Sequence, residues 1–231
     1  MFNRIILVLF FLLLNLKFCY ATAEENWNLV KSDKVNGIDV YLRILSSGNI
    51  EFKGLTTLNT SLSSIVALFK DTESMPRWVY RTEKVIVLKK ISHKEKFVYT
   101  VHTMPFPFQK RDSIVHSTLE QDPESLSVTI RGKATPDYLP EKKGYIRIRA
   151  VESFWSFEPQ HNGNVRITFQ GYGDPGGSIL SSIYRSPIFS RLGKYFLWGL
   201  PYYTLNNIKN IINDKKYQTQ TFTYIKEPNQ R

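Results

Sequence analysis

Between Lys84 and Tyr172 the chain repeats one pattern six times: a run rich in Val, Ile, Thr, Tyr and Phe, closed by charged or Gly/Pro residues. The runs cover residues 84–91, 96–104, 113–121, 126–134, 145–157 and 164–172. Several are joined by only a few residues, such as Ser92-His93-Lys94-Glu95, Gln121-Asp122-Pro123-Glu124 and His161-Asn162-Gly163. Parallel neighbours would need long crossovers, so connections this short predict an antiparallel meander. The stretch 135–144, with Pro136 and Pro140, is the one longer loop.

The flanks complete the plan. Gly37 opens a run over 38–44, Ser46-Ser47-Gly48-Asn49 is a turn, and 50–58 is the return strand of a hairpin. Residues 24–35, with Trp27 and Leu29, read as a short helix or turn. Asn59-Thr60-Ser61 is an N-cap cluster before Leu62, Ile65, Val66, Leu68 and Phe69 at helical spacing, and Pro76 and Trp78 end that region. After Asp174-Pro175-Gly176-Gly177 the helical period returns, with Ile188, Leu192, Tyr195 and Phe196 on one face. Gly199-Leu200-Pro201 reads as a break, and Thr204 as the N-cap of a last helix carrying Leu205, Ile208 and Ile212. Residues 217–231 are polar and read as a loose tail. An antiparallel sheet of about eight strands has one apolar face to cover, and the final amphipathic helix is its natural cover. The expected class is therefore α+β: a curved antiparallel sheet around a long C-terminal helix, enclosing an apolar cavity.

Residues 1–23 have the form of a secretory signal peptide. Arg4 precedes an apolar run from Ile5 to Leu14, and Ala21-Thr22-Ala23 offers the small residues of a cleavage site. The apolar run is too short to cross ~30 Å of hydrocarbon as an anchor. Cys19, the only cysteine, falls within this segment, and Lys17 and Phe18 before it do not suit a lipid-attachment site. The expected mature chain, from Glu24, thus has no disulfide and no thiolate chemistry. It is expected in the periplasm or outside the cell. Without Arg4 and Lys17 there are 29 basic residues against 20 acidic ones, a net charge of +9. Such a surplus suits an anionic surface, and export makes that surface a membrane rather than nucleic acid.

The pieces, taken in order, resemble the START (StAR-related lipid transfer) family, particularly its short bacterial members. They are Gly37-Ile38-Asp39-Val40-Tyr41, Phe52-Lys53-Gly54, Asp71 to Trp78, Arg111-Asp112, Trp155-Ser156-Phe157-Glu158-Pro159, Asp174-Pro175-Gly176-Gly177 and Pro201-Tyr202-Tyr203-Thr204-Leu205. The resemblance implies a helix-grip fold over residues 24–216, a tunnel holding one lipid or sterol-like molecule, and no cofactor beyond that ligand. Two departures stand out. The acid–arginine pair of sterol-binding members falls on Val98 and Ser117, so sterol specificity is not implied, although another family arginine matches Arg147. The segment 177–201 is also longer and more aromatic than in bacterial members.

No catalytic constellation is present. His93, His102, His116 and His161 are scattered, and only His102 and His116 are candidates to share one sheet face. Neither a Gly-x-Ser-x-Gly elbow nor a phosphate loop occurs. In the run 145–157, alternation puts Arg147, Arg149, Val151, Ser153 and Trp155 on one face, and Glu152 on the other among apolar neighbours. Glu152 is either a pocket group or a solvent-facing one, and Arg147 a family ligand or a surface charge. The expected pocket or gate residues are Arg147, Glu152, Trp155, Ile188, Leu192, Phe196, Leu205, Ile208 and Ile212. Arg185, Arg191, Lys194 and Trp198, basic residues beside aromatics, are expected at the membrane. Phe106 and Phe108, between prolines, form either a membrane-touching edge or core. A monomeric lipid carrier leads. An aromatase/cyclase-type or hydrolase-type enzyme on the same fold, with Glu152 as its acid, and a ligand-free surface-binding module are the alternatives.

Overall fold

The computed structural model of the chain describes residues 27–106, 108–174, 176 and 187–228, and of 187–196 the backbone alone. The expected signal peptide and Arg185 lie outside the described residues.

Among the described residues ten strands form one sheet: β1 (Asn28–Asp33), β2 (Ile38–Ile44), β3 (Ile50–Asn59), β4 (Thr82–Lys90), β5 (Glu95–His102), β6 (Arg111–Gln121), β7 (Val128–Ala134), β8 (Ile146–Arg147), β9 (Ala150–Pro159) and β10 (Asn164–Asp174). The strand order is β1-β2-β3-β10-β9-β7-β6-β5-β4. The meander is as expected, and β10 then pairs with β3 to join it to the hairpin. In place of the short helix or turn expected over 24–35, the described residues form a strand that leads into a turn at 34–37. Asn28 to Asp33 pair with β2 as an edge strand, because an open edge of backbone donors and acceptors outweighs weak local propensity.

The run 145–157 is not one strand. Ile146–Arg147 pair in parallel with Arg111 and Asp112 of β6, and the chain then steps to β9, between β7 and β10. The break at Ile148 and Arg149 uncouples Arg147 from the alternation of the strand that follows.

Helix α1 (Leu62–Lys70) is capped by Ser61, whose side chain accepts from the Ser64 amide, and α2 (Met75–Trp78) follows it. The long helix α3 (Pro187–Ile211) runs through Pro201 without the expected break. Thr204 is accordingly no N-cap. It is fully buried, and its hydroxyl accepts from the Tyr80 amide at 3.1 Å. Pro201 lacks only one intrahelical donor, and packing against the sheet outweighs that loss. The contact is close: a Cβ on Gly54 would lie 2.8 Å from Leu205 Cδ1 and 3.0 Å from Pro201 Cβ.

The expected loose tail is instead packed from Tyr217 to Glu227. Helix α4 (Lys215–Gln218) buries Tyr217, and Ile225 is buried farther along. Glu227 accepts from the Leu62 and Ser63 amides at 3.1 and 2.7 Å, serving the free donors at the start of α1.

Candidate functional site

Alternation divides the sheet into two faces. The inner one meets α1 and α3. It carries Phe169, Trp155, Ile130 and Leu119 as cross-strand partners, and Phe69 of α1 packs edge-on against Trp155 at 4.9 Å. Trp155 stacks flat on Phe169 at 3.7 Å, and Trp78 and Phe157 lie 5.0 and 5.3 Å from Phe69. These rings fill the end of the fold nearest α1. Leu205, Ile208 and Ile212, expected to face cavity or sheet, are 0%, 1% and 2% exposed and belong to the same packed core.

Beyond the rings the inner wall changes character. Its next positions are Lys96, Ser117, Gly132, Ser153 and Gly171, then Val98 and Val115, then Thr100 and Ser113, and finally His102 and Arg111, with the Lys96 ammonium donating to the Phe69 carbonyl at 3.2 Å. Apart from Lys96 the first row is small because neighbouring atoms leave no room for larger side chains. A Cβ on Gly132 would lie 2.5 Å from Ser153 Oγ, and one on Gly171 would lie 2.6 Å from the Glu152 carbonyl. Val98 is buried, yet it belongs to neither apolar cluster formed by the described residues. Thr100, His102, Val115 and Ser117 lie on central strands and still keep accessible surface. His102 is so enclosed that burial pushes its pKa down to about 4, against a smaller opposing pull from Asp112. These residues form the inner wall beyond the ring cluster.

The outer face is closed differently. Asp112 and Arg147 form a bidentate pair at 2.9 and 3.0 Å, each side chain only 1% exposed. The Arg147 guanidinium also donates to the carbonyls of Pro136, Leu139 (3.0 Å) and Pro140 (3.2 Å), pinning the loop 135–145 over the sheet. That loop brings Tyr138 flat onto Phe97, 4.5 Å away. Arg147 is thus not a pocket residue. Its donors are engaged on the outer face, and the hydrogen bonds to the Asp112 carboxylate hold its pKa above the ordinary value. Alternation alone did not reveal a buried acid–arginine pair, because Asp112 and Arg147 meet only through the two-residue strand β8.

Glu152 is exposed on the outer face, opposite Lys133, so its solvent-facing reading holds and the pocket reading is corrected. His102 and His116 do not share a face. His116 is on the outer one, stacked on Phe97 and 2.7 Å from Glu95. No cluster of three metal-ligating side chains occurs among the described residues. Trp198 is half-buried. It packs edge-on to Tyr202, lies nearly parallel to Tyr203, and has the Lys31 ammonium over its ring at 5.7 Å. Ile188, Arg191, Leu192, Lys194 and Phe196 fall in α3 where only the backbone is described.

Residues 20–197 match the model of the START domain. The chain belongs to the START family. An uncharacterized protein of Pseudomonas aeruginosa is 30% identical over 158 residues, 68% of this chain and 76% of that protein. Among solved structures, the STAR-related lipid transfer protein of Xanthomonas axonopodis superposes with a TM-score of 0.69 at 28% identity, covering 80% of this chain and 98% of the other. Human StAR-related lipid transfer protein 5 superposes at 0.61 with 12% identity, over 90% and 96%, which is a likeness of fold alone. The START helix-grip architecture is the one observed here: a bent antiparallel sheet closed by a long C-terminal helix. START domains bind lipids and other hydrophobic molecules.

Proposed function

We propose that the protein holds one lipid or sterol-like molecule in the hollow between sheet and α3, and carries or sequesters it outside the cytoplasm. It works as a monomer that meets an anionic membrane transiently, and it catalyses no covalent step. The observation that carries this reading is the band from Ser117 to His102. There central strands set Val98 and Val115 among small polar side chains, and Thr100, His102, Val115 and Ser117 keep accessible surface beyond the ring cluster. An empty apolar space is unfavourable, and each methylene moved into it gains ~0.8 kcal/mol, so ten methylenes give on the order of 8 kcal/mol before ordering costs. The enzyme alternative relied on Glu152 as an enclosed acid, and Glu152 is solvent-facing.

Export is supported by the apolar run and Ala-x-Ala site of residues 1–23, and membrane attraction by the net +9 of the remaining chain. Phe106, 97% exposed in the loop between β5 and β6, offers an apolar tip for the headgroup zone. Arg185, Arg191 and Lys194 are the basic residues assigned to hold the gate against that surface while it opens.

Transfer of a fluorescent phospholipid between vesicles tests this. The chain is expected to move lipid from vesicles rich in anionic headgroups, and the double variant Arg191→Glu, Lys194→Glu to lose about tenfold or more of that rate with its circular dichroism unchanged. Equal rates in the variant would remove the membrane role, and no transfer by the unaltered chain would remove the carrier role.

A further inference from the structure

The turn end of the β4–β5 hairpin carries a group of cations that no acid balances. Lys90 of β4 lies directly opposite Lys96 of β5, and the Lys96 ammonium donates to the carbonyl of Phe69 near the end of α1 at 3.2 Å. Lys70, the next residue, ends α1 and brings a third ammonium, which donates to Tyr224 Oη at 2.9 Å. His93, in the turn, stacks on the same Tyr224 ring at 4.2 Å and closes the group from above. Lys70 and Lys90 are exposed, and Lys96 keeps part of its surface open. The acids nearest in sequence are engaged elsewhere: Asp71 with Lys216 at 2.7 Å, and Glu95 with His116 at 2.7 Å on the outer face. Among the described residues no carboxylate pairs with Lys70, Lys90 or Lys96. Desolvation pushes the Lys96 pKa down to about 8, and repulsion from Lys70 and Lys90 pushes it the same way. The C-terminus of α1 sets roughly half a negative charge against three positive ones, so most of the repulsion stands.

We propose that Lys70, Lys90 and Lys96 form a binding site for a phosphate group. The inference goes beyond the carrier reading and does not depend on what the hollow holds. A phosphate monoester brings a charge of about −1.5 to −2 at neutral pH and three acceptor oxygens, one for each ammonium. A carboxylate brings one charge and two oxygens, and leaves the group unbalanced. Exposure of Lys70 and Lys90 lets the anion approach from solvent. The eight residues of β5, at ~3.3 Å each, set the site about 26 Å from the loop that carries Phe106, so it is separate from that apolar tip. Tyr224, which holds Lys70, lies beyond the residues 20–197 that match the START model. A soluble phosphate and the headgroup of an anionic phospholipid share this chemistry, and the test separates them.

The test uses the full purified chain and two probes. Inorganic phosphate is titrated calorimetrically at pH 7 and constant ionic strength, and phosphatidylcholine vesicles with and without phosphatidic acid are co-sedimented with the chain. The expected result is one phosphate per chain, bound about tenfold or more weakly by Lys96→Met and by the double variant Lys70→Gln, Lys90→Gln, with circular dichroism unchanged. The double variant alters only exposed side chains and carries the test should Lys96→Met fail to fold. A control, Lys142→Gln, Lys143→Gln, removes the same charge from the exposed loop 135–145 and is expected to match the unaltered chain. Loss of phosphatidic-acid-dependent sedimentation in the cluster variants, but not in the control, supports the site with a lipid headgroup as its source. Loss of phosphate binding alone supports it with a soluble phosphate. Cluster variants that equal the control with both probes overturn the site and leave the carrier reading as it stands.

Discussion

Two buried residues carry consequences that can be measured directly. The Asp112–Arg147 pair is enclosed on both sides, and Arg147 additionally ties down three loop carbonyls. Removing one partner leaves an uncompensated charge, so Arg147→Met should lower unfolding free energy by about 3–5 kcal/mol in urea titrations. A loss under about 1 kcal/mol would show that the pair is not the fastener of the outer face. His102 gives a pH signature. Its folded pKa of about 4 lies below the ordinary 6.5, so between those values the unfolded chain binds more protons. The stability it contributes is complete above pH 6.5 and declines as pH falls toward 4, by on the order of 3 kcal/mol at most. Asp71 and Asp122, whose pKa values are lowered, act below the ordinary 3.8 and so outside that window. The variant His102→Gln should flatten the slope between pH 6.5 and 4.5. An unchanged slope would contradict the enclosed position of the ring.

At the scale of elements, α3 is held where Gly54 lets it approach the sheet. Adding one methyl, Gly54→Ala, forces Leu205 or the helix backbone at Pro201 to move and should cost about 1–3 kcal/mol by thermal melting. Leu205→Ala in the same chain should recover part of that loss, because the two sites share one contact. Additive losses would place the strain elsewhere. Strands and helices were the most legible part of the sequence: five of the six periodic runs, the Ser61 cap and the apolar face of the last helix appear where residue patterns placed them, and the run 145–157 alone splits in two. What misled was local punctuation. Gly199-Leu200-Pro201 looks like a break, yet packing of Leu205 and Ile208 carries the helix through it. The polar residues after Tyr217 look like a tail, yet Ile225 and the cap from Glu227 tie them to α1.

At the scale of the molecule, family and architecture were readable because a sheet with one apolar face needs a cover, and the chain provides a single long one. The site was less so. Trp155, Leu205, Ile208 and Ile212 were apolar and on the correct face, but depth along a strand cannot be read from alternation, and they fell in the packed core. The wall residues Thr100, His102, Ser113 and Ser117 were overlooked because small and polar side chains on central strands carry no pattern of their own. The central claim is that the space beyond the aromatic floor is filled by a guest rather than by the protein. Native mass spectrometry of the chain purified from its producing cells without detergent measures this most directly. One bound apolar molecule per chain, released on organic extraction, is the expected result. A mass equal to the polypeptide alone, unchanged after incubation with mixed lipids, would contradict it.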